Sequence, residues 1–384
     1  MSTKINIKSL KEVLGKLNFA IERTKINPKS GWIEIRTDEE KKNLTLKVSN
    51  YDYYLESSIL TECEEPIFAT ITSDTFIPLI SKLDEDEIEI FERLNSLIVK
   101  TNQSEYTFPI IKEMGEVKTV DEIKLEKEPE INDTFEINGS FLESVADTNA
   151  KGLLDSSFSK DIQQFVYVDE KGALTWTENI YINTTETGTT TEFKSLFNLT
   201  QAKILKVFGD CKSVNVYIEK GNEYEESNKI RFISNNDNYS LTCIFIIQSD
   251  EITEKFPCLR IRNLAEAVAK THVIIDKKTL EKALSRLMVF DKKFDKTVLN
   301  YSQFEWGKDS VKLVSIKNKN YEIVPYVSSV ETVEHTSMIR FADIVAQLQS
   351  ALSKTIDISY GDSPAITINS DNLKQLIPEI QYIG

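Results

Sequence analysis

The 384-residue sequence has little of what most active sites are made from. Its 2 histidines, His272 and His335, belong to no cluster with metal-ligand spacing, so a structural or solvent role is expected for each. Its 4 cysteines, Cys63, Cys211, Cys243 and Cys258, lack the short paired spacing of a zinc site. They read as buried or half-buried thiols, which points to a reducing, cytoplasmic setting. The 12 glycines form no GxGxxG or GxxxxGK[ST] loop, so the common nucleotide-phosphate cradles are excluded. No cofactor and no metal are expected. A run of about 18 apolar residues is also missing, so no membrane-spanning helix is expected. Lys4, Lys8 and Lys11 interrupt the start of the chain, where a secretory signal would need an apolar block.

Positive charge is the next shortage: 46 Lys and Arg stand against 61 Asp and Glu, a net charge of −15. Such a chain does not wrap nucleic acid with its whole surface. The deficit is unevenly distributed. Lys4, Lys8, Lys11, Lys16, Arg23, Lys25 and Lys29 face only Glu12 and Glu22 in the first stretch, whereas Asp84, Glu85, Asp86, Glu87, Glu89 and Glu92 form an acidic run.

What is present is a repeat. Ile5-Asn6-Ile7-Lys8-Ser9-Leu10 returns as Ile137-Asn138-Gly139-Ser140-Phe141-Leu142 and as Ile275-Asp276-Lys277-Lys278-Thr279-Leu280, each roughly a third of the chain from the last. An apolar residue, an Asn or Asp, and a Leu four positions later make a helix start. The polar side chain caps the first turn and the apolar pair closes over it. One folding unit used three times is implied, with boundaries 1–130, 131–262 and 263–384.

In the first copy Leu10, Val13, Leu14, Leu17 and Ile21 share one helical face, leaving Lys8, Lys11, Lys16 and Arg23 to point away from the core. The third copy repeats this, with Leu280, Ala283, Leu284 and Leu287 inward and Lys278, Lys282 and Arg286 outward. In the middle copy the stripe Leu142, Val145 and Ala146 is short, and its outer face carries Glu143 and Asp147 with only Lys151 nearby. A second helix there brings Lys203 and Lys206.

Each first helix is followed by strand-like alternation: 32–36, 44–48 and 53–59; then 165–168, 173–176 and 180–182; then 297–304, 311–314 and 321–327. Second helices are expected over 73–83, 200–208 and 341–352, the first kept short by Pro78, with strand pairs such as 87–91 and 97–100 after them. The acidic, proline-containing segments 113–132 and 257–271 read as extended connectors.

This layout resembles the DNA polymerase III beta subunit, the sliding clamp of bacteria and phages, over essentially the whole chain. Leu174-Thr175-Trp176-Thr177-Glu178-Asn179-Ile180-Tyr181-Ile182 is similar to that family's Thr-Asp-Gly-His-Arg-Leu strand entry. Thr177 is kept, Glu178 stands for Asp and Ile182 for Leu, while Asn179, Ile180 and Tyr181 replace Gly, His and Arg, as in a divergent or phage-encoded clamp. Phe256-Pro257 matches a Phe-Pro at the end of the second domain. The resemblance implies an α+β fold of three clamp domains, each with two helices on antiparallel sheets. Two subunits would close head to tail into a ring, a homodimer around double-stranded DNA, with replicative polymerase and clamp loader as partners.

Under that resemblance the DNA-facing residues are Lys8, Lys11, Lys16, Arg23, Lys25, Lys151, Lys203, Lys206, Lys278, Lys282 and Arg286. Contacts to phosphate carry no sequence information, so such a ring slides. The partner-peptide groove maps to Ile162, Thr177, Ile182, Pro257, Ile261, Ile380 and Tyr382, and the dimer contact to Tyr106 and Phe108 against Val289 and Phe290. Two other classes remain open from the residues alone. One is a β-rich scaffold, for instance of a virion, with a threefold repeat. The other is a metal-dependent enzyme using acid pairs such as Asp84 and Asp86.

Overall fold

A computed structural model describes residues 3–22, 27–38, 42–61, 66–154, 161–221, 227–236, 238–266, 271–291, 301–316, 319–361 and 365–379. The helix starts form as their sequences dictate. Asn6 Oδ1 accepts a hydrogen bond from the Ser9 amide at 3.1 Å and opens the helix Ile7–Leu17, which buries Leu10, Val13, Leu14 and Leu17. Asp276 Oδ1 accepts from the Thr279 amide at 2.8 Å and from its hydroxyl at 2.6 Å, opening the helix Lys277–Asp291 over buried Leu280, Ala283, Leu284 and Leu287. At the middle start the Asn138 carbonyl accepts from the Phe141 and Leu142 amides. Gly139 is required there, because a Cβ would lie 2.1 Å from the Cys211 carbonyl oxygen and 2.2 Å from that of Phe208. This helix, Gly139–Ser144, runs through a π turn at Val145–Asn149 into Ala150–Leu154. The widened turn matches the weak apolar stripe of the second copy.

Second helices span Ser73–Lys82, Leu199–Ile204 with a 3₁₀ turn Leu205–Phe208, and Phe341–Ser350. Strands follow the period-2 pattern. In Asn43–Ser49, Leu44, Leu46 and Val48 are buried while Thr45 and Lys47 between them are half-buried. The strand expected over 297–304 is Tyr301–Trp306, its first positions lying outside the described residues.

Contacts divide the chain into two compact units, Met1–Glu143 with Ile204–Ser249, and Ser144–Lys203 with Asp250–Gly384. Among the described residues the first unit has a four-stranded sheet, in the order Thr3–Asn6, Glu87–Arg93, Ser96–Lys100, Glu105–Pro109. It also has an eight-stranded sheet, in the order Phe135–Ile137, Val214–Glu219, Asn228–Asn235, Tyr239–Ile247, Tyr53–Leu60, Asn43–Ser49, Trp32–Asp38, Phe68–Thr72. Two distant stretches meet in that sheet where Tyr239–Ile247 pairs antiparallel with Tyr53–Leu60, Cys243 opposite Leu55.

The second unit repeats this plan. Its nine-stranded sheet runs Lys194–Phe197, Val166–Asp169, Gly172–Trp176, Ile180–Asn183, Leu373–Pro378, Ala365–Ser370, Thr355–Tyr360, Thr271–Asp276, Ser328–Val330. Here the distant stretches join at Ile180–Asn183 and Leu373–Pro378, with Tyr181 opposite Gln375. Its four-stranded sheet runs Tyr321–Pro325, Ser310–Ser315, Tyr301–Trp306, His335–Arg340. Phe304, Trp306, Phe341 and Tyr360 fill the core beneath, with Trp306 stacked on Tyr360 at 4.3 Å.

The connectors behave differently. Of residues 113–132, Glu113 and Glu116–Val117 belong to a two-stranded hairpin and Ile131 and Asn132 to a 3₁₀ turn, which leaves 118–130 without helix or strand. Residues 257–271 are not extended as expected, because Cys258–Glu266 is a helix. Pro257 precedes its first turn, where a missing amide costs nothing, and Ile261 and Ala265, four apart, are its buried face.

Removing the third helix start by Asp276→Ala is expected to lower stability by about 1 kcal/mol, measured by thermal unfolding. The hydrogen bonds from Thr279 hold the Asp276 carboxyl below its usual range. Its contribution is therefore fully present above the unfolded-state pKa, and is lost as pH falls through the depressed folded value. The gap between wild type and variant should narrow only in that acid window.

Candidate functional site

The basic helices do not spend all their charge on the surface. Lys16, 8% exposed, donates to the Val207 carbonyl at 2.7 Å and pairs with Asp210 at 2.5 Å. Lys11 donates to the Leu83 carbonyl, just past the helix Ser73–Lys82. Lys277 donates to the Ala351 carbonyl at 2.6 Å, just past Phe341–Ser350, and Lys374 to the Ala265 carbonyl in the last turn of Cys258–Glu266. One device recurs: a lysine satisfies carbonyls at a helix C-terminus, where unpaired oxygens and the helix dipole both favour a cation. Lys11 and Lys16, expected to face DNA, are in these roles, which corrects the sequence reading. Periodicity placed both on the outward arc of one helix, but the neighbouring helix end reaches that arc.

Arg286 is also engaged, with Nε and Nη2 on the Glu322 carboxylate at 2.7 and 2.8 Å. Lys8, Lys203, Lys278 and Lys282 are exposed, and Lys151 and Lys206 half-buried. Arg23 and Lys25 lie outside the described residues. The exposed set is thus four lysines carried by first and second helices.

The expected groove residues converge better. In the second unit Tyr167, Leu174, Leu196, Phe256 and Ile261 form a buried cluster, and half-buried Ile162 and Ile182 pack against it. Tyr167 and Phe256 stack at 4.9 Å. Arg262 grips Asp169 through two hydrogen bonds at 2.6 and 2.7 Å and so fixes the helix Cys258–Glu266 onto the strand Val166–Asp169. Pro257 is half-buried at the head of that helix. Thr177 does not join the cluster; its amide donates to the Asn179 carbonyl at 2.9 Å and closes the turn before Ile180–Asn183. Glu178, in the same turn, pairs with Arg340, which also holds Asp343 at 2.9 Å. Ile380 and Tyr382 lie outside the described residues.

Two members of this cluster escape a residue-by-residue transfer from the family motif. Trp176 and Ile180 are half-buried against it, and the signal for them is the register in which they face each other across the hairpin. The result is an apolar, partly open surface. Among the described residues no group of three His, Cys, Asp or Glu could hold a metal. The two histidines pair with carboxylates, His272 with Asp357 and His335 with Glu379. Cys211, Cys243 and Cys258 are free thiols, and Cys63 lies outside the described residues.

Of the expected contact residues, Phe108 is in the core. It is 6% exposed, with its ring edge-on to Phe76 at 5.3 Å, so it belongs to its own unit and not to a surface. Tyr106 is half-buried on the same strand. Val289 and Phe290 are 60% and 46% exposed at the end of their helix. The strand expected over 321–327 forms as Tyr321–Pro325, but the sequence reading missed its place in the sheet: among the described residues it is a terminal strand, and it exposes Tyr321 and Ile323. Glu105–Pro109 ends the first unit's four-stranded sheet in the same way.

No protein-family model matches the sequence, and no curated protein matches it either. Solved structures do. The chain is similar to the DNA polymerase III beta subunit of Thermotoga maritima, with a TM-score of 0.74 at 14% identity, covering 99% of this chain and 100% of that one. It is similar to the beta subunit from DNA polymerase of Streptococcus pyogenes, with a TM-score of 0.74 at 16% identity over 99% and 100%. It is also similar to the Helicobacter pylori beta clamp bound to a DNA ligase peptide, with a TM-score of 0.68 at 14% identity over 99% and 100%. The α+β sliding-clamp fold expected from the sequence is therefore the fold of this chain over its full length.

Lys16→Met tests the internal role of that lysine. Burial raises the Asp210 carboxyl, but the Lys16 ammonium and the Tyr239 hydroxyl outweigh it and hold it below the usual range. Without Lys16 the Asp210 pKa should rise in an NMR titration. Denaturant unfolding should show a loss of about 1–3 kcal/mol for the stranded carbonyl.

Proposed function

We propose that this chain is a DNA sliding clamp, a non-catalytic processivity factor that encircles duplex DNA and tethers a replicative polymerase. The observation that carries this reading is the likeness to beta subunits across the whole length of both chains. A likeness restricted to one unit would fit many folds, whereas this one spans 99% of the chain. Nothing found favours the scaffold reading. The three modules are proposed with the boundaries 1–130, 131–262 and 263–384. The site of action is proposed to be the cytoplasm, at the nucleoid.

Lys8, Lys203, Lys278 and Lys282 are proposed to face the DNA, with Lys151, Lys206, Arg23 and Lys25 as further candidates. Exposed ammonium groups on helices attract phosphate without reading bases, which is what a sliding contact needs. The cluster of Ile162, Ile182, Trp176, Ile180 and Ile261 is proposed to take an apolar peptide of polymerase or clamp loader, with Pro257, Ile380 and Tyr382 at its rim. The ring is proposed to close head to tail. The edge Glu105–Pro109 of one protomer would pair with the edge Tyr321–Pro325 of the other, flanked by Tyr106, Val289 and Phe290. Unpaired strand edges with exposed apolar side chains are templates for another strand, and a head-to-tail contact must close or it polymerises.

Retention on DNA tests the function. The protein, loaded by its clamp loader, should stay on nicked circular DNA and be lost when the circle is cut; equal retention on both would refute encirclement. Lys8→Glu with Lys278→Glu and Lys282→Glu should weaken binding most at low salt, with the deficit shrinking as salt rises because fewer counterions are released. Ile323→Asp should shift a dimer toward monomer in sedimentation equilibrium, and an unchanged mass would discredit the proposed edges.

A further inference from the structure

The connector between the first two modules is a strap with a particular path. Residues 118–128 run over the eight-stranded sheet from its Phe68–Thr72 edge to the strands Val214–Glu219 and Asn228–Asn235 on its other side. Lys118 meets Phe68–Thr72, its carbonyl accepting from the Thr70 hydroxyl at 2.5 Å. Val120 meets Trp32–Asp38, its amide donating to Glu34 at 3.0 Å. Glu122 meets Asn43–Ser49 through Lys47 at 2.5 Å. Glu126 reaches Val214–Glu219, its amide donating to Glu219 at 2.8 Å, and Glu128 reaches Asn228–Asn235, paired with Arg231 at 2.7 Å. Between these points Val120, Ile123 and Leu125 pack on Trp32, Tyr54 and Ile244.

The strap is seated as a ligand would be. It has neither helix nor sheet structure over 118–128. The backbone contacts just described go to side chains of the sheet, not into a strand ladder. Its carboxylates meet a basic rim: Asp121 on Lys29 at 3.0 Å, Glu122 on Lys47 and Glu128 on Arg231. The Asp121–Lys29 pair is exposed on both sides, and such pairs hold weakly and are screened by salt. In the second unit the corresponding sheet carries a helix, Cys258–Glu266, that leaves Ile162, Trp176, Ile180 and Ile182 half-buried. Each large sheet therefore has an apolar cluster on its surface; one is partly open and the other is filled by the chain itself.

We infer that the face formed by Trp32, Tyr54 and Ile244 with the rim Lys29, Lys47 and Arg231 is a second docking groove. Its ligand class is an extended peptide in which apolar residues are interleaved with acidic ones, and residues 118–128 are its resident occupant. A partner segment of that chemistry docks by displacing the strap. The strap itself supplies the recognition pattern, with apolar positions at 120, 123 and 125 and carboxylates at 121, 122 and 128. This inference stands on the first unit alone and does not depend on encirclement of DNA.

The probe is a fluorescently labelled synthetic peptide of residues 118–128, added to the full chain and followed by anisotropy. A variant with Val120→Ser, Ile123→Ser and Leu125→Ser unseats the strap. It should bind the peptide saturably and at least tenfold more tightly than wild type does. A peptide carrying Ile123→Ser and Leu125→Ser should not bind it. Equal affinity for both proteins, or no binding by a variant with wild-type circular dichroism and melting, would overturn the groove. If the variant fails to fold, native-state hydrogen exchange on wild type decides. The Val120 and Glu126 amides should be at least tenfold less protected than those inside Asn43–Ser49 and Tyr53–Leu60, and equal protection would mean that the strap opens only with the sheet.

Discussion

The constraint on which the structure depends is the need to pair strand edges. A sheet edge exposes a row of backbone donors and acceptors, and leaving one open invites association. This chain meets the requirement inside each unit by joining stretches far apart in sequence: Tyr239–Ile247 against Tyr53–Leu60 in the first, Leu373–Pro378 against Ile180–Asn183 in the second. The pairing makes two large sheets from four smaller sets of strands. It also explains why the middle third of the sequence is divided between two compact units. Among the described residues two four-stranded sheets end in Glu105–Pro109 and Tyr321–Pro325, each with one partner.

Electrostatics is arranged around helix ends before it is presented to solvent. Lys11, Lys16, Lys277 and Lys374 each donate to a carbonyl at or just past a helix C-terminus. In a chain with a net charge of −15, these four lysines are bonded to internal carbonyls. Of the lysines expected to face DNA, Lys8, Lys203, Lys278 and Lys282 are exposed, on helices whose opposite faces are core.

The two connectors show how one structural problem is solved with two chemistries. Both lie on a large sheet and both cover apolar side chains. Residues 118–128 carry acids between apolar residues and form neither helix nor strand, meeting lysine and arginine on the sheet. Residues 258–266 place Ile261 and Ala265 four apart and fold as a helix, clamped by the Arg262–Asp169 pair. The first connector spaces its apolar residues three and two apart, at 120, 123 and 125, whereas the second sets them four apart at one helical turn.

The sequence by itself determined the helix starts at Asn6 and Asp276, the alternation of the strands, the short second helices and hence the fold class, since these depend on neighbours within four or five residues. It also marked Ile162, Ile182 and Ile261, which do share one cluster. It did not reveal that 257–271 contains a helix, that Phe108 packs on Phe76, that Lys16 is buried against Val207 and Asp210, or that Tyr321–Pro325 is an edge. Those outcomes were decided by tertiary structure. Lys16 and Val207 are 191 residues apart in sequence, and which charge meets which helix end is set only when non-local strands have paired and brought their helices together.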